Sequence, residues 1–201
     1  METMIATEPK RQVILTLPEQ FRPINDEYRP FPLVERRDNL LQKIEVPAVV
    51  KAMNLPRNKR ILLIGCGTGA ALVPLAELCH PRRLVGIDIN TCLLGEAESR
   101  LKQHGIHAEL WQEDVRAMPF ADGSFDIIID FGTCYHINRR VYALKEISRV
   151  LAAGGRFVYE TRFNQMLSHP VRAYGKRIPW RLAPDLALQR AVLMWATRVK
   201  R

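Results

Sequence analysis

Apolar residues between positions 60 and 160 follow two alternating patterns, short continuous runs and longer stretches with one apolar face. Runs such as Ile61–Ile64 are typical of buried strands, whereas the apolar spacing over 138–151 predicts a helix. The predicted strands are Ile61–Ile64, Arg83–Ile87, Ala108–Gln112, Phe125–Asp130 and Arg156–Glu160, and the predicted helices are 70–79, Cys92–His104 and Asn138–Leu151, the last ended by Gly154 and Gly155. This alternation predicts an α/β fold with a Rossmann-like, doubly wound, mainly parallel sheet and helices on both faces.

The segment before this core has a different pattern. Five prolines lie among the first 32 residues, and proline disfavours helix at and before its own position. Residues 1–36 are therefore expected to form an extended arm or lid. Asp38 is a suitable N-cap for a helix that reaches about Met53 and that Pro47 should kink or interrupt.

The segment after the core carries most of the net charge of the chain. The whole chain of 201 residues has a net charge of +9, and residues 161–201 hold nine basic residues against Asp185 alone. A partial apolar stripe over 185–200, with Trp195 and Val199 at its end, predicts a helix. The expected organisation is thus an arm (1–36), a core (37–160) and a basic, largely helical C-terminal segment (161–201).

Composition excludes several classes of protein. Apolar residues make up 47% and charged residues 25% of the chain, which is ordinary for a globular domain. We expect neither a membrane span nor a secretory signal, because no apolar stretch has the required length or position. The four cysteines form no CxxC pair, so a zinc site is not expected and a cytoplasmic location is the simplest interpretation.

The most informative local pattern is a strand that opens into the loop Gly65-Cys-Gly-Thr-Gly69 and then into a helix. Glycines let the backbone turn tightly and approach a ligand without interference from a Cβ atom. The spacing GxGxG differs from the GxGxxG of dinucleotide binders, and a glycine turn at this place can also be purely structural.

Three further groups follow predicted strands. Asp88 ends the second strand, where a carboxylate can accept both hydroxyls of a ribose or can simply cap the next helix. Asp114 and Val115 follow the third strand, where a carboxylate and a backbone N–H can meet an adenine ring. The fourth strand leads into a polar and aromatic segment, Asp130 to His136. The carboxyl edge of an open α/β sheet is where ligands bind.

Together these groups resemble the class I S-adenosylmethionine-dependent methyltransferases of the small-molecule type, which include the ubiquinone and menaquinone methyltransferases. The resemblance covers about residues 55–160 and extends to the helix, Gly-Gly turn and fifth strand over 143–158. It implies S-adenosylmethionine as cofactor, with the loop around its methionine part, Asp88 at the ribose, and Asp130 beside the methionine. The implied cofactor-binding residues are Gly65, Cys66, Gly67, Thr68, Gly69, Asp88, Ile89, Asp114, Val115, Asp130 and Phe131.

The chain departs from the family pattern in two places. Two positions before the first loop glycine the family usually has an acidic residue, and here Leu63 stands there. We expect weaker cofactor binding than in a Leu63→Glu variant, unless backbone carbonyls suffice to organise the loop. The family also commonly adds two strands after the fifth, and residues 161–201 are expected to supply a reduced set.

Candidate catalytic residues follow the fourth strand. His136 is the first choice for a general base, because an imidazole titrates near neutral pH, although a histidine at a helix start is often only packed or hydrogen-bonded. Tyr135 is expected to orient the acceptor or to cover the cofactor. Many methyl acceptors need no base, since the cofactor already carries an activated group.

The sequence specifies the methyl acceptor poorly. No Asn/Asp-Pro-Pro-aromatic tetrapeptide follows the fourth strand, which argues against methylation of nucleic-acid bases. The basic segment 161–201 favours peripheral contact with an anionic membrane and hence a small-molecule or lipid-like acceptor, but it can equally be a solvated surface. An RNA methyltransferase and a catalytically silent cofactor-binding partner protein remain alternatives, and the oligomeric state is open.

Overall fold

The structure, a computed structural model, describes residues 34–160 and 195–199. Its strands are β1 (Arg60–Ile64), β2 (Arg83–Asp88), β3 (Glu109–Gln112), β4 (Phe125–Asp130), β5 (Leu151–Glu160) and β6 (Trp195–Val199). Its helices are α1 (Val34–Leu40), α2 (Val46–Ala52), α3 (Leu72–Cys79), α4 (Thr91–Gln103), α5 (Thr133–His136) and α6 (Arg140–Val150), with a π-helical turn, Leu41–Glu45, between α1 and α2. None of the helices in these ranges is long and apolar enough to cross a membrane.

The six strands form one sheet in the order β3-β2-β1-β4-β5-β6. The first five strands of this order are parallel, and β6 runs antiparallel to β5. Strand β1 lies at the centre, with Ile61 opposite Leu84 of β2 on one side and Ile127 of β4 on the other. The chain therefore winds outward in both directions from β1, and the predicted Rossmann-like, doubly wound fold is confirmed. Ligands bind such sheets where the strand order reverses, at the carboxyl ends of the strands beside β1.

Alternate residues of β1 face two apolar layers. Leu63 belongs to the layer that contains Val49 of α2 and Leu72 of α3, whereas Leu62 belongs to the layer that contains Ile147 of α6. All five side chains are at most 2% exposed. Each such side chain contributes about 1.5–3 kcal/mol through burial. The continuous apolar run Ile61–Ile64 therefore forms a central strand whose side chains are buried on both faces of the sheet.

The N-terminal helices begin earlier than predicted. Helix α1 starts at Val34, inside the last three residues of the predicted arm, and residues 1–33 lie outside the described residues. Asp38 is not an N-cap: it lies inside α1 and is buried. Pro47 lies in the first turn of α2, directly after the π-helical turn. The backbone is right-handed helical at Leu40, Glu45 and Val46, so the helix continues from α1 into α2, and its irregularity, the π-helical turn, lies just before Pro47.

The sequence predicts that Gly154 and Gly155 end the helix over 138–151, and this prediction is wrong. Helix α6 ends at Val150, and β5 begins at the next residue. The two glycines lie instead at an irregularity in β5, where the register against β4 jumps from Leu151 to Arg156. Gly154 has φ +72°, and a Cβ on Gly155 would lie 2.8 Å from the carbonyl oxygen of Ala152. Glycine serves here to bend a strand rather than to end a helix.

The predicted helix over 185–200 is wrong at its C-terminal end. Residues 195–199 form β6, with Ala196 opposite Tyr159 and Val199 opposite Arg156. Residues 161–194, 200 and 201 lie outside the described residues. A spacing of four between apolar residues fits one face of a strand as well as one face of a helix, and Trp, Thr and Val favour strands. Pairing with the edge of β5 decides between the two.

Candidate cofactor site

The glycine loop connects β1 to α3 at the carboxyl edge of the sheet. Gly65 has φ +60°, and a Cβ there would lie 1.8 Å from Oγ1 of Thr133. Gly67 has φ +51°, yet apart from Gly67 itself and its two chain neighbours no atom of the described residues lies within 4 Å of the position that its Cβ would take. Gly65 thus permits close contact between the glycine loop and the loop after β4, whereas Gly67 leaves open space beside the backbone of the glycine loop.

Asp88 joins the end of β2 to this loop. Its Oδ2 accepts a hydrogen bond from the backbone N–H of Gly67 at 2.9 Å, and its Oδ1 accepts one from Asn90 at 2.9 Å. Burial raises the pKa of the Asp88 carboxyl, and the bonds from backbone N–H groups oppose this rise. Asn90, not Asp88, caps α4, through bonds from Cys92 and Leu93 to its side chain. The alternative role of Asp88 as a helix cap is therefore wrong.

Asp130, at the end of β4, organises the neighbouring loop from inside. The residue is 2% exposed, and its carboxylate accepts backbone N–H groups of Gly132 (2.9 Å), Thr133 (2.6 Å) and Cys134 (3.2 Å). Burial raises its pKa despite these bonds. The hydroxyl of Thr133 in turn donates to the carbonyl of Ile64 at 3.3 Å. Asp130 therefore holds the loop after β4 against the end of β1, and its contact with the methionine part stays a prediction.

Asp114 is engaged by a partner that the sequence analysis missed. Its carboxylate accepts from Nε (2.9 Å) and Nη2 (2.5 Å) of Arg116, and the two residues are 3% and 4% exposed. Arg116 also donates to the side-chain oxygen of Asn138, beyond β4. This buried carboxylate has little surface for the predicted bond from an adenine amino group. Val115 beside it is 4% exposed, so a role there falls to its backbone N–H.

The other residues that are predicted to bind the cofactor or to act in catalysis differ in how exposed their side chains are. Cys66 is 6% exposed, and burial raises the pKa of its thiol to about 12, so it is not a thiolate nucleophile at neutral pH. Ile89 is 44% exposed and directly follows Asp88, which leaves an apolar surface beside the loop. Phe131 is half-buried against the apolar layer of β1. Tyr135 and His136 form the second half of α5 after β4, and their catalytic roles stay predictions.

Asp38 is a second residue that the sequence analysis did not place at the site. Its Oδ2 accepts the hydroxyl of Thr68, in the glycine loop, at 2.7 Å, and Nη2 of Arg100, in α4, at 2.5 Å. Thr68 and Asp38 are 6% and 8% exposed. The pairing of Asp114 with Arg116 could have been found from the sequence, because the two residues are only two positions apart. The pairing of Asp38 with Thr68 could not, because they are 30 residues apart and no local pattern connects them.

Comparison with known proteins agrees with this geometry. Residues 61–155 match the family described as a methyltransferase domain. A demethylmenaquinone methyltransferase of Thermus thermophilus is 37% identical over 101 residues, covering 50% of this chain and 46% of that protein. A fatty-acid O-methyltransferase of Mycolicibacterium smegmatis is 33% identical over 101 residues, covering 50% and 36%. The chain thus spans less than half the length of these curated relatives.

Solved structures show the same fold over a larger part of the chain. A SAM-dependent methyltransferase from Aquifex aeolicus superposes with a TM-score of 0.58 at 18% identity, covering 78% of this chain and 85% of the other. The residues present also fit the cofactor that this family uses: a loop open at Gly67, a fixed carboxylate at Asp88 and an exposed apolar side chain at Ile89 meet at one sheet edge. The chain therefore has the fold of an S-adenosylmethionine-dependent methyltransferase, and its residues 61–155 match a methyltransferase domain.

Proposed function

We propose that this protein transfers a methyl group from S-adenosylmethionine to a small-molecule or lipid-like acceptor. One observation carries the proposal: the carboxylate of Asp88 is bonded to the N–H of Gly67, beside the open face of the loop. This arrangement supports a role for the Asp88 carboxylate as the acceptor of ribose hydroxyls, next to backbone that a ligand can approach closely.

In this proposal different residues of the site bind different parts of the cofactor. Asp88 would hold the ribose, the loop from Gly65 to Gly69 the methionine part, and the backbone of Val115 with Ile89 the adenine. Bound there, the cofactor would supply a methyl group on a positively charged sulfur for in-line transfer to the acceptor, with the neutral thioether as the leaving group. The contribution of the protein is then alignment and exclusion of water rather than activation of the methyl group.

The segment after β4 would face the acceptor. Asp130 fixes the start of α5 through three backbone N–H groups, which supports a position at the edge of the proposed site for Tyr135 and His136, the two residues that end this helix. In this proposal His136 takes a proton from acceptors that need a base, and Tyr135 orients the acceptor. Acceptors with a free lone pair would react without the base.

The lipid-like acceptor is inferred from the relatives and from charge. The relatives named above act on a fatty acid and on demethylmenaquinone. Residues 161–201 hold nine basic residues and one acidic residue. Such a segment is attracted to anionic headgroups, by about 1 kcal/mol for each basic residue near the surface. We therefore infer a cytoplasmic protein that meets its acceptor at a membrane surface.

Two measurements test the proposal. Calorimetry with S-adenosylhomocysteine, the demethylated product, should show one site on the full chain, and an absence of binding would contradict the proposed cofactor. Cell extract incubated with the protein and methyl-labelled cofactor should then yield a labelled lipid or small molecule by mass spectrometry. Label in RNA alone would support an RNA methyltransferase, and binding without any labelled product would support a silent partner protein.

A further inference from the structure

Asp38 connects three elements that are distant in the sequence. It lies in α1, and one carboxylate oxygen accepts hydrogen bonds both from Thr68 of the glycine loop, at 2.7 Å, and from Arg100 of α4, at 2.5 Å. Thr68 stands between Gly67 and Gly69, both at positive φ, and glycine leaves a backbone the most freedom to change conformation. A buried carboxylate is costly to keep without partners, so this arrangement is unlike a solvated surface contact.

The direction of the bond between Asp38 and Thr68 is fixed by chemistry. An ionised carboxylate only accepts, so the hydroxyl of Thr68 must donate, and a bond from a hydroxyl to a carboxylate is among the stronger hydrogen bonds in proteins. The loop is thus held by two carboxylates, Asp88 on the backbone of Gly67 and Asp38 on the side chain of Thr68. Strand β1 itself offers no carboxylate there, since Leu63 is apolar and buried.

We propose that Asp38 is a positioning residue that holds the glycine loop in its cofactor-binding conformation, with Arg100 fixing the carboxylate. This inference rests on the proposed function only in taking the loop as the cofactor site. Without the bond to Asp38, the loop would occupy the binding conformation for a smaller fraction of the time. The apparent dissociation constant rises in inverse proportion to that fraction, so a competent fraction of about one tenth gives about tenfold weaker binding.

A matched control separates positioning from general stability. Asp126, at the start of β4, also binds arginine: it accepts from the backbone and guanidinium of Arg60 and from Arg82. It lies at the opposite, amino end of the parallel strands, where Arg60 begins β1. Asp38→Asn and Asp126→Asn therefore make the same chemical change at the two ends of the sheet.

The test is calorimetry of S-adenosylhomocysteine binding by the full chain and its variants. We expect Asp38→Asn, whose neutral amide oxygen is a weaker acceptor, and Thr68→Val, which removes the donor, each to weaken binding about 5- to 20-fold. The double variant should bind no more weakly than the weaker of the two single variants, because both changes act on one bond. Arg100→Gln should weaken binding less, and Asp126→Asn should leave it unchanged. Thr68→Val removes the donor of this bond and leaves the part-buried ion pair between Asp38 and Arg100 in place, so it carries the test if Asp38→Asn fails to fold.

The outcomes distinguish this inference from the proposed function. If the unmodified chain does not bind S-adenosylhomocysteine, the proposed function fails. If it binds, and Thr68→Val binds as tightly as Asp126→Asn, the positioning role of Asp38 is overturned. Additive effects of Asp38→Asn and Thr68→Val would also overturn it, because independent effects on binding cannot arise from a single shared bond.

Discussion

Arg116 and Asp114 form an ion pair of 2.5 Å in which neither side chain is more than 4% exposed. Removing one member of a buried pair leaves the other charge without compensation, at a cost of about 3–5 kcal/mol. We therefore expect Arg116→Met to lower the free energy of unfolding by that amount in urea titrations. Arg83→Gln breaks a pair with Glu109 that is 34% and 45% exposed, and should cost less than about 1 kcal/mol. Equal losses in the two variants would contradict the structural role of Arg116.

Asp88 is expected to control cofactor affinity in a pH-dependent way. Only the ionised carboxylate accepts from two hydroxyls, and burial raises the pKa of Asp88 above that of a free aspartate. Affinity for S-adenosylhomocysteine should therefore be full at neutral pH and fall as pH decreases through this raised pKa. Asp88→Asn should bind at least about tenfold more weakly at pH 7 and lose this dependence. A variant with the affinity of the unmodified chain would remove Asp88 from the site.

The glycines of the chain give opposite predictions at two positions. Gly65→Ala introduces a side chain at φ +60° and 1.8 Å from Thr133, so we expect a loss of stability of about 2 kcal/mol or more and a disturbed loop. Gly95 lies inside α4, and beyond its chain neighbours and the adjacent backbone of α4 no atom of the described residues is within 4 Å of the place of its Cβ. Gly95→Ala should raise stability by about 0.5–1 kcal/mol through helix propensity. Thermal denaturation of both variants, with and without S-adenosylhomocysteine, checks the two directions.

Acid should unfold the protein partly through Asp126. Hydrogen bonds from Arg60 hold the pKa of this carboxyl well below its usual value. A depressed pKa in the folded state contributes stability at pH values above the unfolded pKa, near 4, and this contribution is lost as pH falls toward the folded value. Asp126→Asn should therefore be less stable than the unmodified chain at pH 7, and the difference should shrink below pH 4. A difference that is constant with pH would contradict this account.

Much of the fold was predictable because it depends on local pattern. The apolar runs of β1 and β4 are continuous, since both strands are buried on two faces, and such runs have few other interpretations. The predictions are wrong where the pairing of strands, rather than the local sequence, determines the secondary structure. Gly154 and Gly155 carry the local signal of a helix end, yet the register of β5 against β4 places them in a strand. Residues 195–199 likewise take their form from the edge of β5.

The candidate site was predictable to a similar extent. Asp88 and the glycine loop are adjacent in space because neighbouring parallel strands end together, and the sequence order reveals this. For Asp38 the local sequence predicts a helix cap, whereas its partners Thr68 and Arg100 lie 30 and 62 residues away. The expected benefit of Leu63→Glu also has a cost that only the structure shows. Leu63 is 1% exposed in an apolar layer, so a carboxylate there would be buried without a known partner.

The last prediction concerns the proposed binding of the basic segment, residues 161–201, to an anionic membrane surface. A truncation before the segment would also remove β6 from the sheet, so substitutions of charge are the sharper test. Replacing Arg172, Lys176, Arg177 and Arg181 by glutamine lowers the positive charge by four and leaves β6 intact. Each charge contributes about 1 kcal/mol near an anionic surface, so co-sedimentation with phosphatidylserine vesicles should weaken at least tenfold. Neutral phosphatidylcholine vesicles serve as the control, and equal binding of both proteins to anionic vesicles would dismiss the segment as a membrane contact.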